Sequence, residues 1–386
     1  MAEKKSINIL ILLSPFESNI PSYYELIKDL ISLGYNVTCY VLDEFQSKFK
    51  STDANLKIYT IDKSGLKKMP PALIHRAYAP YSIALFYDSI LSEAIKSEEK
   101  YDYLIVDSFT DGNEINKIIK AKNVVSVYLN CLGKKSPFVD VTLVHRKHYW
   151  VTVNKKYNLN IKDFLIQYFS PDAKYKLMFT SKLFHPELKL IDDSFYFIGP
   201  GFDERPIDNT FNFKKDVNKK LIYISLGNTF TRNVEFYKMC IEAFGDLKQY
   251  QVIMSIGKDV DIKELGDIPD NFYIYNYVPQ LQVLPQTDIF INHGGINSIN
   301  EALFLNNLPI ILIAQELTQY ENVKAIEQFE AGLSLDKDEL TVEMLKTSLN
   351  TYLANKEKYQ KGIAKIVESF KNARNERKKI LEKIFV

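Results

Sequence analysis

The chain has 386 residues, of which 46% are hydrophobic and 25% charged, with a formal net charge of +1. That length holds two domains with substantial cores, and the composition excludes a disordered or fibrous chain. So balanced a charge gives no reason to expect nucleic-acid binding, and Cys39, Cys131 and Cys240 lie scattered, without metal or disulfide spacing, as suits a reducing cytoplasm.

The first predicted element is the apolar run Ile7 to Leu13, read as a strand. It is too short to span a membrane, and Pro15, Phe16 and Glu17 follow it rather than a small-residue cleavage site. Pro21 fits the first position of the next helix. Leu26, Ile27, Leu30 and Ile31 give that helix an apolar face, and Gly34 ends it. Further strands are expected at Val37–Leu42, Leu104–Val106 and Val124–Tyr128, then at Leu221–Ser225, Gln251–Ser255, Phe272–Tyr275, Ile289–Ile291 and Ile310–Ile313. Strands alternating with helices predict parallel sheets with helical crossovers in both halves, hence an α/β fold. The Gly- and Pro-containing stretch from Tyr196 to Asn209 reads as a linker, and a long basic helix closes the chain from about Lys356 to Ile384.

The stretch IFINHGGINSINEA, Ile289 to Ala302, carries the most chemistry. A buried strand runs into a His-Gly-Gly turn and then a helix, leaving unpaired backbone N–H groups at the positive end of a helix dipole, a site suited to phosphate. His293, Asn297 and Ser298 can donate hydrogen bonds to phosphate oxygens, and Glu301, one turn deeper, can accept from a vicinal diol such as a ribose. Each residue alone also fits a plain strand–turn–helix unit with a capped helix. Together, in this order, they point to a nucleotide.

This segment resembles the donor-sugar signature of family 1 glycosyltransferases, the UDP-glycosyltransferase group, and in particular its bacterial macrolide-type branch. The resemblance extends over roughly a hundred residues. SLGN (Ser225 to Asn228) matches the glycine loop that opens the C-terminal domain, NYVPQ (Asn276 to Gln280) the segment against the base and ribose, and PIILIAQELTQYENVKAI the donor-sugar loop and its flanks. It implies the GT-B fold, two Rossmann-like domains with parallel sheets facing a central cleft. Residues 1–200 would form the acceptor-binding domain, 201–214 the linker, 215–365 the nucleotide-sugar-binding domain, and 366–386 a helix packing back on the first domain. The implied donor residues are Gly227, Asn228, Thr229, Val278, Gln280, His293, Gly294, Gly295, Asn297, Ser298, Glu301, Thr318 and Gln319.

Two positions depart from the family pattern. The loop after the first strand reads approximately P-x-x-G-H-x-x-P in the family, and its histidine is the general base that takes the acceptor's proton. Counting back from Pro21 puts Ser18 at the histidine position, and the first 74 residues contain no histidine. Asp107 matches the aspartate that orients that histidine, although an Asp at a strand end also caps helices. In the donor-sugar loop Thr318 stands before Gln319 where the family usually has an acidic residue, which weakens the hydrogen bonding to the sugar or changes the sugar. The other histidines, His75, His145, His148 and His185, are assigned no role.

The expected activity is inverting transfer from a nucleotide sugar, a UDP-sugar first, to a small lipophilic or natural-product acceptor in the cytoplasm, with no metal and no cofactor beyond the co-substrate. Three routes answer the missing base. The acceptor is an amine, thiol or acidic phenol; Asp107 acts directly or through Ser18 or a water; or the chain is an inactive homologue that binds and activates another glycosyltransferase. A second copy of the chain or a partner glycosyltransferase stays open, and neither nucleic acid nor stable membrane insertion is expected. Competing motifs fail: GPGFDE and GKKS lack dinucleotide and P-loop spacing, no HExxH or CxxC occurs, and Asp192-Asp193 resembles metal-binding acids only superficially.

Overall fold

The computed structural model describes residues 6–62, 64, 71–129, 147–161, 172–202, 207–228, 231–315 and 317–386. The chain divides into two compact units. One comprises Met1–Lys182, Glu187–Asp203 and Asn372–Val386, the other Leu183–Pro186 and Glu204–Lys371.

The first unit is built on a seven-stranded sheet in the order β3-β2-β1-β4-β5-β6-β7, with every pair parallel. Its strands are β1 (Asn8–Leu12), β2 (Asn36–Leu42), β3 (Asn55–Tyr59), β4 (Tyr103–Asp107), β5 (Asn123–Tyr128), β6 (Tyr175–Met178) and β7 (Phe195–Phe197). Ile9, Ile11, Leu104, Ile105 and Val106 in the central strands are completely buried, as parallel strands covered on both faces require. Helix α1 (Ile20–Ser32) starts with Pro21 in its first turn, buries Leu26, Ile27 and Leu30, and is followed by Gly34 at φ +85°. The left-handed turn there is open to glycine without a Cβ penalty.

The second unit has a six-stranded parallel sheet in the order β10-β9-β8-β11-β12-β13. The strands are β8 (Lys220–Ser225), β9 (Tyr250–Ser255), β10 (Phe272–Tyr275), β11 (Ile289–Asn292), β12 (Ile310–Leu312) and β13 (Gly332–Ser334). Its core gathers Ile222, Ile224, Val252, Met254, Ile289, Ile291 and Ile311 with Phe236 and Tyr237 of the helix Val234–Phe244.

In both sheets the strand order reverses beside the first strand, between β1 and β4 and between β8 and β11. Open α/β sheets bind ligands outside the carboxyl ends of the strands at such a point. The nine expected strands all form. Four others were not anticipated: β3 carries Lys57 amid its apolar residues, β6 carries Lys176, and β7 and β13 are three residues long, so none has the sustained apolar run that marks a strand.

The C-terminal helix α2 (Lys356–Ile384) ends in the first unit, where Leu381, Ile384 and Phe385 are buried. Tyr35 donates its hydroxyl to the Phe385 carbonyl at 2.9 Å and Tyr103 to that of Ile384 at 2.8 Å. Arg377, 2% exposed, donates to the carbonyls of Ile198 (2.7 Å), Gly199 (3.2 Å) and Pro200 (2.6 Å) and pairs with Glu25 of α1 at 3.0 Å.

Candidate functional site

At the switch point of the second sheet, β8 ends at Ser225 and β11 at Asn292, side by side in register. Asn292 is wholly buried and builds the turn that follows. Its side-chain amide donates to the Ser225 carbonyl at 3.2 Å, and its side-chain carbonyl accepts from the Gly294 N–H at 2.8 Å. Gly294 thereby reaches φ +86°, and Asn322 holds its carbonyl from the other side at 3.0 Å. Asn292 was not among the candidate residues. Its signal was an Asn before a glycine turn, which favours an Asx turn.

The His293 ring lies between two glycines. A Cβ on Gly227 would meet His293 Cε1 at 2.5 Å, and one on Gly295 would meet Nε2 at 2.5 Å. Gly227 also has φ +77°, so both the space and the backbone exclude a larger residue there. Burial pushes the His293 pKa down to about 4, against the pull of the Ser225 backbone towards the charged form. At neutral pH the ring is therefore uncharged. Nδ1 is the buried nitrogen, which leaves Nε2, between the glycines, as the one to meet a ligand.

After the turn, a helix runs from Ile296 to Asn300 with Gly295 as its N-cap, then opens into a π-helical turn at Glu301–Leu305. The helix thus begins directly after the His-Gly-Gly turn. Asn297 and Ser298 sit half-buried in the first turn. Glu301, 3% exposed, accepts from Gln280 Nε2 at 2.7 Å, and the same nitrogen reaches Ser298 Oγ at 3.2 Å. Gln280, Ser298 and Glu301 are thus one hydrogen-bonded group. Val278 is buried, so its backbone is what it offers a ligand, while Asn228 is exposed. Gln319 is buried next to the turn, and its side-chain carbonyl accepts from the Gln315 N–H at 2.7 Å. Thr229 and the side chain of Thr318 lie outside the described residues, as do His145 and the side chains of His75 and His148.

At the switch point of the first sheet, Asp107 closes β4 and is 1% exposed. Its Oδ1 accepts from the Phe109 N–H at 2.9 Å and the Thr110 hydroxyl at 3.0 Å. Burial raises the Asp107 pKa, while the Ser14 and Thr110 hydroxyls and the Phe109 and Thr110 N–H groups pull it back. Ser18 is exposed in the loop after β1, whereas its neighbour Asn19 is buried and donates to Ser14 Oγ at 2.8 Å. Burial raises the pKa values of Tyr23 and Tyr128 above the ordinary range, and the charge of Asp107 adds to the rise. The chain therefore brings Asp107 close to Ser14 and Asn19, with Ser18 one hydrogen bond further out.

Residues 239–378 match the family of the erythromycin biosynthesis protein CIII-like C-terminal domain. The uncharacterized UDP-glucosyltransferase YojK of Bacillus subtilis is 27% identical over 96% of this chain and 95% of its own length. The oleandomycin glycosyltransferase of Streptomyces antibioticus is 29% identical over 46% of this chain and 41% of its own. The crystal structure of the kitacinnamycin glycotransferase superposes with a TM-score of 0.78 at 20% identity, covering 99% of this chain and all of its own, a likeness of fold.

The chain is similar to bacterial UDP-glucosyltransferases over nearly its whole length and to macrolide glycosyltransferases over its second half. Its two parallel-sheet α/β units are those of the GT-B fold. Among the described residues no helix is long and apolar enough to cross a membrane, and no three His, Cys, Asp or Glu side chains gather as metal ligands.

Proposed function

We propose that this chain transfers a sugar, with inversion, from a nucleoside-diphosphate sugar to a small lipophilic natural-product acceptor. The single observation that carries the reading is the neutral His293 ring held between Gly227 and Gly295 at the second switch point. A ring so placed offers one uncharged N–H donor, beside the backbone N–H groups of a helix start, to a diphosphate. The Gln280–Ser298–Glu301 group supplies acceptors for a ribose diol one turn deeper. UDP is the first nucleotide to test, given the relative named for UDP-glucose, and the antibiotic glycosyltransferase among the relatives supports a natural-product acceptor.

Calorimetric titration with UDP, dTDP and GDP tests the donor site. Selective binding of one nucleotide, weakened at least about tenfold in His293→Ala and in Glu301→Gln (~1.4 kcal/mol each), is the expected result. Binding to none of the three sinks the enzyme reading and leaves an inactive homologue that acts on a partner glycosyltransferase. The exposed Ser18 in place of the family's histidine favours that second reading.

A further inference from the structure

Tyr223 joins strand β8 to the Gln280–Ser298–Glu301 group. Its ring stacks on that of Phe290 in β11, its partner in register, with 4.9 Å between centroids and 5° between planes. Tyr223 is 1% exposed, so its hydroxyl is out of water. It donates to Gln280 Oε1 at 3.4 Å, and the Ser225 hydroxyl hydrogen-bonds the same phenol from the strand end. A phenol accepts one bond and donates another, so the two do not compete.

The other side of Gln280 fixes which way its amide points. Nε2 donates to Glu301 Oε2 at 2.7 Å and to Ser298 Oγ at 3.2 Å. A carboxylate only accepts, so the amide nitrogen has to face Glu301, which turns the amide oxygen to Tyr223. With both ends held the amide does not swing away, and Glu301 stays in place. The Glu301 backbone is held too, its carbonyl accepting from Asn306 Nδ2 at 2.7 Å where the π-helical turn begins. Tyr223 lies on β8, Gln280 opens the helix Gln280–Val283, and Glu301 follows the helix after the glycine turn.

We propose that Tyr223 is a positioning residue for donor selection: through Gln280 it holds Glu301 for a vicinal diol, so that the site takes ribonucleoside diphosphates in preference to their 2′-deoxy counterparts. This role rests on the transferase reading above and gives its donor a class. Glu301 is 3% exposed, and a hydroxyl donating to so buried a carboxylate makes a charge-assisted bond. Ribose brings two neighbouring hydroxyls, 2′-deoxyribose only one. An analogue that lacks a donor leaves the buried acceptor short of a bond, and sites built on such bonds discriminate strongly. Tyr223 acts through Gln280 and not on the nucleotide itself.

The test is calorimetric titration of the whole chain with UDP and GDP and with their 2′-deoxy counterparts, each pair differing by one oxygen atom. The unaltered chain should bind the ribonucleotide of one pair at least about tenfold more tightly than its deoxy form. Tyr223→Phe removes one hydroxyl and keeps the ring on Phe290. It should cut that preference about threefold to tenfold, chiefly by weakening the ribonucleotide. In a Gln280→Ala background, where the preference is already reduced, Tyr223→Phe should change it by less than about twofold, because the two residues act as one chain. A change that only loosened the domain would weaken both nucleotides of a pair alike. Equal weakening, an unchanged preference in Tyr223→Phe, or its full effect in the absence of Gln280 overturns the proposal. Equal binding of both forms by the unaltered chain also overturns it and leaves the donor site standing. If Tyr223→Phe does not fold, Gln280→Ala decides: a reduced preference supports the role and a retained one overturns it. Binding of none of the four nucleotides instead overturns the transferase reading.

Discussion

Asp107 is buried and His293 half-buried, each at the end of a strand, and loss of water moves their proton affinities in opposite directions because each is held towards its neutral form. For His293 the folded value of about 4 lies below the ordinary 6.5. Between those values the unfolded chain binds more protons, so stability rises with pH through that window and is complete above it. Asp107 contributes oppositely: its raised folded value means that stability falls as pH rises through it. A diphosphate accepting from His293 Nε2 favours the imidazolium, so nucleotide binding at about pH 5.5 should take up protons. Calorimetry in buffers of different ionisation heat measures this uptake. It should shrink in His293→Gln to what the nucleotide's own phosphate contributes, and equal uptake in the two proteins would place the phosphate elsewhere.

Helix α1 joins the loop that bears Ser18 to a charged cluster beneath it. Glu25 accepts from Arg374 at 2.9 and 2.5 Å and pairs with Arg377, which also reaches Asp29 at 3.4 Å. Burial works against the Glu25 charge, but the Arg374 hydrogen bond and the charges of both arginines outweigh it, and its pKa is lowered. The stabilisation is present above the unfolded carboxylate pKa and is lost as pH falls through the lowered folded value. Because Arg377 also ties down three consecutive carbonyls, Arg377→Ala leaves those carbonyls unpaired and takes one cation from the half-buried Glu25 and Asp29. It should cost about 3–5 kcal/mol in urea denaturation, as breaking a buried pair does. A loss under about 1 kcal/mol would mean that Arg374 and water replace it.

On the scale of the whole molecule, each sheet has its own core and its own switch point, and the residues proposed to bind nucleotide all lie in the second unit. A ligand that binds only the folded form adds about 2.7 kcal/mol of stability at one hundred times its Kd. Hydrogen exchange with saturating nucleotide should therefore slow the amides of β8, β11 and the turn at Asn292–Gly295. The amides of β1 and β4 should change far less. Equal protection of both sheets would mean that one cooperative unit spans the chain.

Much of the architecture was legible in the residues, because local patterns carry it. The nine apolar runs became strands, Pro21 opened α1, and the basic C-terminal helix runs from Lys356 to Ile384 as expected. Such elements follow from periodicity, turn chemistry and capping, which act over a few neighbouring residues. Long-range packing decided the rest. The close approach of Gly227 to His293, the bond from Gln280 to Glu301 and the clamp of Arg377 on Ile198–Pro200 join residues far apart in sequence. Counting back from Pro21 puts Ser18 at the histidine position, a reading of the sequence alone. That the buried polar contact falls to Asn19 and Ser14 instead depended on how the loop folds against β4. The sequence by itself determined two parallel α/β sheets and a glycine turn suited to phosphate. Only the tertiary structure decided which side chains lose water there, and that loss sets the proton affinity of His293 and Asp107.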